Sequence, residues 1–296
     1  MKDVIIIGAG AAGLSAAIYC SRYGLDTLVV ESMAPGGQLM YIDKIENYPS
    51  VSPISGFTLA DNLQKQAESF GAEIVYDNIT SITKSDYFTA IGENDSYQAK
   101  AIIIATGATH KKLGVTGEDK FEGRGVSYCA TCDGPFYKGK DVVVIGGGDT
   151  ALTEALYLSK ITNSVTLIHR RNQFRAQEIL VNRVKETKNI KLLLEKNVIS
   201  INGNNKVTSI TLDDNCVVET HGVFIFTGIE AASTPFKGLI KTDNSGFIIT
   251  DELLRTSQNG IFAAGDVRTT PFRQVVTAAS DGALAAHMAE KYISRT

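Results

Sequence analysis

Cys129-Ala-Thr-Cys132-Asp133 is the segment of this 296-residue sequence where nucleophilic side chains crowd together. Two cysteines at C-x-x-C spacing can close into a disulfide, contribute to a metal site, or remain inert thiols. A four-cysteine zinc site needs a second pair, but Cys20 and Cys216 are solitary. The four histidines never fall at H-x3–5-H spacing, so no metal is expected. A dithiol–disulfide redox centre is the remaining reading. Asp133 has two readings: a carboxyl that moves a proton to and from a thiol, or a turn residue before Gly134-Pro135. Cys20 and Cys216 are expected as buried small apolar residues.

A redox pair needs an electron source, and two glycine-rich segments are suited to hold one. Val4-Ile-Ile-Ile-Gly8-Ala-Gly10-Ala11-Ala-Gly13 is echoed by Val142-Val-Val-Ile-Gly146-Gly-Gly148-Asp149-Thr150-Ala151. In each copy an apolar run leads through a glycine turn into an Ala/Leu-rich helix pattern, then into a second apolar run. Those second runs end at Glu31 and His169, at the same offset from the first glycine. This is the βαβ dinucleotide unit written twice. The first glycine allows the tight turn, and the second lets backbone approach a pyrophosphate. The third position must be small for helix and strand to pack, and the helix N-terminus offers free N–H groups to phosphate. A further echo pairs Ala101–Gly107 with Gly222–Gly228, each an apolar run ending in Thr-Gly.

The strand ends predict different nucleotides. Glu31 can accept hydrogen bonds from ribose hydroxyls, which suits FAD or NAD and repels a 2′-phosphate. His169 is instead followed by Arg170, Arg171 and Arg175. Guanidinium groups read phosphate well, so this copy is expected to prefer NADPH. Donor and acceptor in one chain then means NADPH in the second unit and FAD in the first. Near the C-terminus, Gly265-Asp266 closes another apolar run, and Asp266 can reach a ribityl or ribose hydroxyl. Arg273-Gln274-Val275 opens an alanine-rich helix pattern over 277–289, whose N-terminus suits the electron-rich edge of reduced flavin.

Composition bounds the alternatives. The length allows two domains with separate cores. Net charge is −3 and the basic residues are scattered outside 169–171, so no nucleic-acid partner is expected. The N-terminal apolar run is too short to span a membrane and ends in the glycine turn, so it reads as a buried strand in a cytoplasmic protein. Strands alternating with helix patterns predict an α/β fold.

Together these motifs resemble the low-molecular-weight bacterial thioredoxin reductases over nearly the whole chain. Further matching residues are Pro35-Gly-Gly37-Gln38-Leu39, Glu46-Asn47-Tyr-Pro49 and Ala105-Thr106-Gly107. The resemblance implies two Rossmann-like, three-layer ββα nucleotide-binding domains of the pyridine nucleotide-disulfide oxidoreductase type. It implies an FAD domain of residues 1–113 and 241–296, and an inserted NADPH domain of residues 114–240 carrying the cysteines. It implies a homodimer, hydride passing from NADPH to flavin, electrons passing to the Cys129–Cys132 disulfide, and thioredoxin or a thioredoxin-like protein as final acceptor. Cys132 would lie nearest the flavin, Cys129 would attack the partner, and Asp133 would handle protons. Domain rotation about hinges near Leu113-Gly114 and Lys241-Thr242 would separate the half-reactions. Two segments depart from the family pattern: Ile229–Pro235 where Pro-Asn is expected, and Ser50–Gly56 where glycine is expected. The rival readings are a reductase of another thioredoxin-like or peroxiredoxin-system carrier, and a flavin-binding regulator without turnover.

Overall fold

The computed structural model describes residues 1–42 and 45–295. The chain divides into two compact units, Met1–Thr109 with Glu230–Thr296, and His110–Ile229. The sequence reading put the boundaries at 113/114 and 240/241. Phe236 and Ile240 are buried beside Ile5 and Ile102, which holds the 230–240 stretch in the first unit.

The first unit opens with β1 (Lys2–Ile7), α1 (Ala11–Arg22) and β2 (Thr27–Glu31). It continues through α2 (Gly56–Ser69), β3 (Glu73–Tyr76), β4 (Ile79–Lys84), β5 (Phe88–Gly92) and β6 (Ser96–Ile104). Parallel strands β3, β2, β1 and β6 lie side by side, and β5 and β4 continue the sheet antiparallel. Unbroken Val/Ile runs form these central strands because both faces are covered. Val4 and Ile6 pack with Leu14 of α1 on one face, while Ile5 and Ile7 pack with Phe88 and Phe236 on the other.

Strand β7 (Ala108–His110) carries the chain into the second unit. There follow α3 (Glu118–Phe121), β8 (Val126–Ser127), α4 (Ala130–Asp133), β9 (Asp141–Gly146), α5 (Asp149–Ser159) and β10 (Ser164–His169). Next come α6 (Glu178–Glu186), β11 (Ile190–Leu194), β12 (Val198–Gly203), β13 (Val207–Leu212), β14 (Val217–Glu219) and β15 (Gly222–Phe226). A parallel sheet runs β11-β10-β9-β15-β8, and β12 to β14 form a separate antiparallel sheet. Val142 and Val144 pack toward α5, and Val143 and Ile145 toward Ile210 and Leu212 of the antiparallel sheet. The second unit thus repeats the layering of the first, as the repeated sequence requires.

Strand β16 (Ile229–Ala231) returns the chain to the first unit, which ends with β17 (Ile261–Ala263) beside β6 and α7 (Val275–Ile293). Helix α7 packs along α1. A Cβ at Gly282 would collide with Ala12 O, so glycine permits this close crossing.

The two Thr-Gly strand ends lie where the chain changes units. In the first unit, Thr106 Oγ1 donates to Ala232 O at 2.7 Å, and Ala232 N–H to Gly107 O at 3.0 Å. In the second, Thr227 Oγ1 donates to Lys111 O at 2.6 Å, and Lys111 N–H to Gly228 O at 2.9 Å. Each unit therefore pins its outgoing and returning segments together on its own side.

Candidate active site

In the first unit the expected nucleotide residues gather at the C-terminal ends of β1, β2, β6 and β17. Gly8 adopts φ +100° and lies so close to Ala105 that a Cβ would meet Ala105 O at 2.5 Å. A Cβ at Gly13 would collide with Gly8 O, so α1 can start this close only with glycine there. Gly10, by contrast, has nothing within 4 Å of a Cβ position, and Gly37 approaches its Cα. Glu31 is buried at the end of β2; its Oε2 accepts Ala9 N–H at 2.6 Å and its Oε1 accepts Met33 N–H at 3.0 Å. Leu39 turns inward, packing with Ala11 and Val275 beneath the rim. Gln38 Nε2 donates to Ala108 O at 3.0 Å, and Asn47 Nδ2 donates to Gln274 Oε1 at 3.0 Å.

Gly265 and Asp266 follow β17. Burial raises the Asp266 carboxyl above the usual range, opposed by the charge of Arg273. Among the described residues no donor reaches the Asp266 carboxylate. Arg273 stacks its guanidinium on Phe247 at 4.4 Å, its Nε is buried without an acceptor, and burial lowers its pKa from the usual value. The Arg273 Nε, buried without an acceptor, and the half-buried Asp266 carboxyl whose charge it faces, fit a ligand carrying hydroxyl and carbonyl groups.

Sequence reasoning missed what holds this corner in place. Asp281 of α7 accepts from Arg268 Nε at 2.7 Å and Arg268 Nη2 at 3.0 Å, and also from Gly265 N–H at 3.0 Å. An aspartate within an Ala-rich buried helix face was the available signal.

In the second unit, a Cβ at Gly146 would meet Ala151 Cβ at 2.6 Å, while Gly148 is open. Asp149, first in α5, accepts Gln177 N–H at 2.7 Å, and Arg175 N–H donates to Gly147 O at 2.8 Å. The arginine segment is thereby tied to the glycine loop. It is irregular rather than helical, since α6 begins only at Glu178. Arg170, Arg171, Arg175 and Thr150 are exposed. His169 is not part of the exposed cluster. It is 6% exposed, stacks on Phe174 at 5.5 Å, and fills the space that a side chain at Gly147 would need. Burial depresses its pKa, helped by the nearby arginines. On α5, burial raises the Glu154 carboxyl, whose Oε2 has no partner.

The cysteines form a disulfide, Cys129–Cys132, around the start of α4. Cys129 Sγ accepts Cys132 N–H at 3.2 Å and lies 3.4 Å from Thr131 Oγ1. Asp133 is the half-buried last residue of α4, and its N–H donates to Cys129 O at 3.1 Å. Burial and the charge of Asp133 push the Tyr137 phenol up to about 12. Of the solitary cysteines, Cys20 is buried, and burial pushes its thiol up to about 12. Cys216 is exposed, contrary to expectation, because it sits in the tight turn between β13 and β14 rather than under the sheet.

A second unforeseen feature lies behind the disulfide. Glu118, 2% exposed, accepts Leu113 N–H at 2.9 Å, Gly114 N–H at 2.7 Å and Tyr128 O–H at 2.8 Å. Tyr128 precedes Cys129 and stacks on His110 at 5.1 Å. Among the described residues no group of three or more metal-ligating side chains forms, and no helix is long and apolar enough to cross a membrane.

Residues 2–282 match the family model for pyridine nucleotide-disulphide oxidoreductases. A thioredoxin reductase of Treponema pallidum is 51% identical over 301 residues, covering 98% of this chain and 97% of its own length. One of Bacillus subtilis is 44% identical over 298 residues, covering 98% and 94%. The crystal structure of thioredoxin reductase from Streptococcus pyogenes superposes with a TM-score of 0.96 at 42% identity, covering 100% of this chain and 99% of that one.

Proposed function

The chain belongs to the pyridine nucleotide-disulphide oxidoreductase family and, within it, to the thioredoxin reductases; we propose that it reduces a thioredoxin disulfide with electrons from NADPH by way of FAD. The observation that carries this reading is the closed Cys129–Cys132 disulfide in the same unit as an intact second glycine loop. The first unit's glycine cradle, Glu31, the half-buried Asp266 carboxyl and the unpartnered Arg273 Nε support FAD there. Gly8, Gly10, Ala11 and Gly13 would lie against its pyrophosphate, and Glu31 against a ribose. Gly37, Gln38, Asn47, Thr106, Asp266, Arg273, Gln274 and Val275 would line the remainder. In the second unit Gly146, Gly148 and the start of α5 would hold the NADPH pyrophosphate. Arg170, Arg171 and Arg175 would meet the 2′-phosphate, with His169 acting as a neutral packing base beneath the loop rather than a phosphate ligand.

When bound, the nicotinamide supplies hydride and the flavin delivers its electron pair to the enzyme disulfide. The chain's own chemistry is then thiol–disulfide exchange. Cys129 thiolate attacks one sulfur of the partner's disulfide; a Cys129–partner bond forms, the partner's S–S bond breaks, and its leaving sulfur takes a proton. Cys132 then attacks Cys129 Sγ, which re-forms the enzyme disulfide and releases the second partner thiol. The dithiol loses two electrons and the partner's disulfide gains them. Asp133 is the acid and base we assign to these proton transfers. Kinship alone supports a homodimer working in the cytoplasm.

Cys132→Ser tests the relay. The variant should retain FAD and bleach anaerobically with NADPH, yet give no thioredoxin reduction in a coupled assay across a panel of thioredoxins and glutaredoxin-like proteins. Thioredoxin turnover by this variant would refute the route.

A further inference from the structure

The two sulfurs of the disulfide have unequal surroundings. Cys129 Sγ is met by Cys132 N–H at 3.2 Å and by Thr131 Oγ1 at 3.4 Å. A disulfide sulfur carries no hydrogen, so between Thr131 and Cys129 the hydroxyl must be the donor. Among the described residues no hydrogen bond reaches Cys132 Sγ. Thr131 is exposed on a four-residue helix, so neither burial nor core packing explains its hydroxyl contact with the sulfur.

We propose that Thr131 is a catalytic residue whose hydroxyl, together with the Cys132 amide, holds negative charge on Cys129 Sγ and so selects Cys129 as the sulfur that attacks the partner. The inference rests on the thiol–disulfide exchange reading. When the disulfide opens, both donors are already aimed at Cys129, whereas Cys132 Sγ has none. Thr131 keeps its proton throughout and only donates a hydrogen bond.

The ionisable groups nearby do not supply this selection. Asp133 lies in α4 itself. The elements that do most of the packing against α4 are the turn Gly134–Tyr137 and helix α5. They contribute Tyr137, Asp149, Glu154 and Tyr157. Just after strand β8, Tyr128 bonds the Glu118 carboxylate. Each of these is an acid, and none places positive charge beside the sulfur. Hydrogen-bond donors are what remain to favour a thiolate. Two bases meet the rings of this neighbourhood: Lys140 Nζ lies 5.7 Å from the Tyr137 ring centroid, and His110 stacks on the Tyr128 ring and needs its own control.

The test uses FAD-loaded protein carrying Cys132→Ser, which leaves Cys129 as the free thiol of the pair. The alkylation rate of the Cys129 peptide by iodoacetamide is followed by mass spectrometry from pH 5 to 10, which keeps Cys20 and Cys216 separate. Adding Thr131→Val should move the midpoint up by about one pH unit, a roughly tenfold loss of alkylation rate below the midpoint. Thr131→Ser restores a hydroxyl and should restore the midpoint. An unmoved midpoint in the valine variant overturns the proposal, as does an equal shift in valine and serine variants. A midpoint that follows His110→Gln but not Thr131→Val also overturns it, because the charge would then be set by the imidazole. Failure of the wild-type enzyme to reduce any thioredoxin, with the valine shift intact, would count against the exchange partner and not against Thr131.

Discussion

The proposed FAD site would place Asp266 where its carboxyl costs stability in the protein without ligand. Its folded-state carboxyl is raised by burial, with Arg273 offsetting part of the effect. Below the ordinary carboxylate range, near pH 3, folded and unfolded chains both hold the proton and the group is neutral in the balance. Above the raised value the folded chain must keep a half-buried charge, so the group costs stability at neutral pH. Asp266→Asn should therefore raise the melting temperature of FAD-free protein at pH 7, and not at pH 3, while weakening FAD retention. A lower melting temperature at pH 7 would mean the carboxylate is satisfied without ligand. This is the stability–function trade-off expected at a binding site.

At the scale of elements, Glu118 is the clearest case of one side chain organising several segments. Its buried carboxylate fixes Leu113-Gly114, where the family resemblance implies a hinge, and the Tyr128 hydroxyl just before the disulfide. Burial, reinforced by the Glu118 carboxylate, holds the Tyr128 phenol far above its ordinary value, so it remains a donor. Glu118→Gln keeps the volume but turns one oxygen into an amide that opposes a donor. The expected cost is roughly 2–4 kcal/mol, given ~1.5–3 kcal/mol per hydrogen bond to a charged group. Urea unfolding measures it, and a loss below about 0.5 kcal/mol would show that water replaces the carboxylate. Nothing in the sequence announced this clamp, because its donors are backbone amides and a tyrosine ten residues away. The glycine loops were legible because their chemistry is local: turn, close approach and helix start follow one another in a few residues. The same reasoning missed that His169 faces inward, since strand alternation alone does not say that the space beside Gly147 needs filling. It also could not place Cys216, whose exposure depends on the turn that joins β13 to the edge strand β14.

For the whole molecule, the separate cores carry a testable consequence. Each unit closes its own parallel sheet between two layers, so opening in one does not require opening in the other. A ligand stabilises the fold it binds through mass action. Stripping FAD should therefore raise amide hydrogen exchange through 1–109 and 230–295 and leave 110–229 near its original protection. Adding NADP+ should protect 110–229 alone. Protection that spreads evenly over both would contradict independent cores. The threonine staples at the two crossings bear on how such a chain is made. Helix α1 finishes its packing only against α7, more than 250 residues later. On the ribosome, 110–229 has all its strands before the first unit has its last, and can fold while the earlier half waits as an incomplete sheet. Thr106 and Thr227 then clasp the neck of a module already formed, which shortens the effective loop that the returning segment must close.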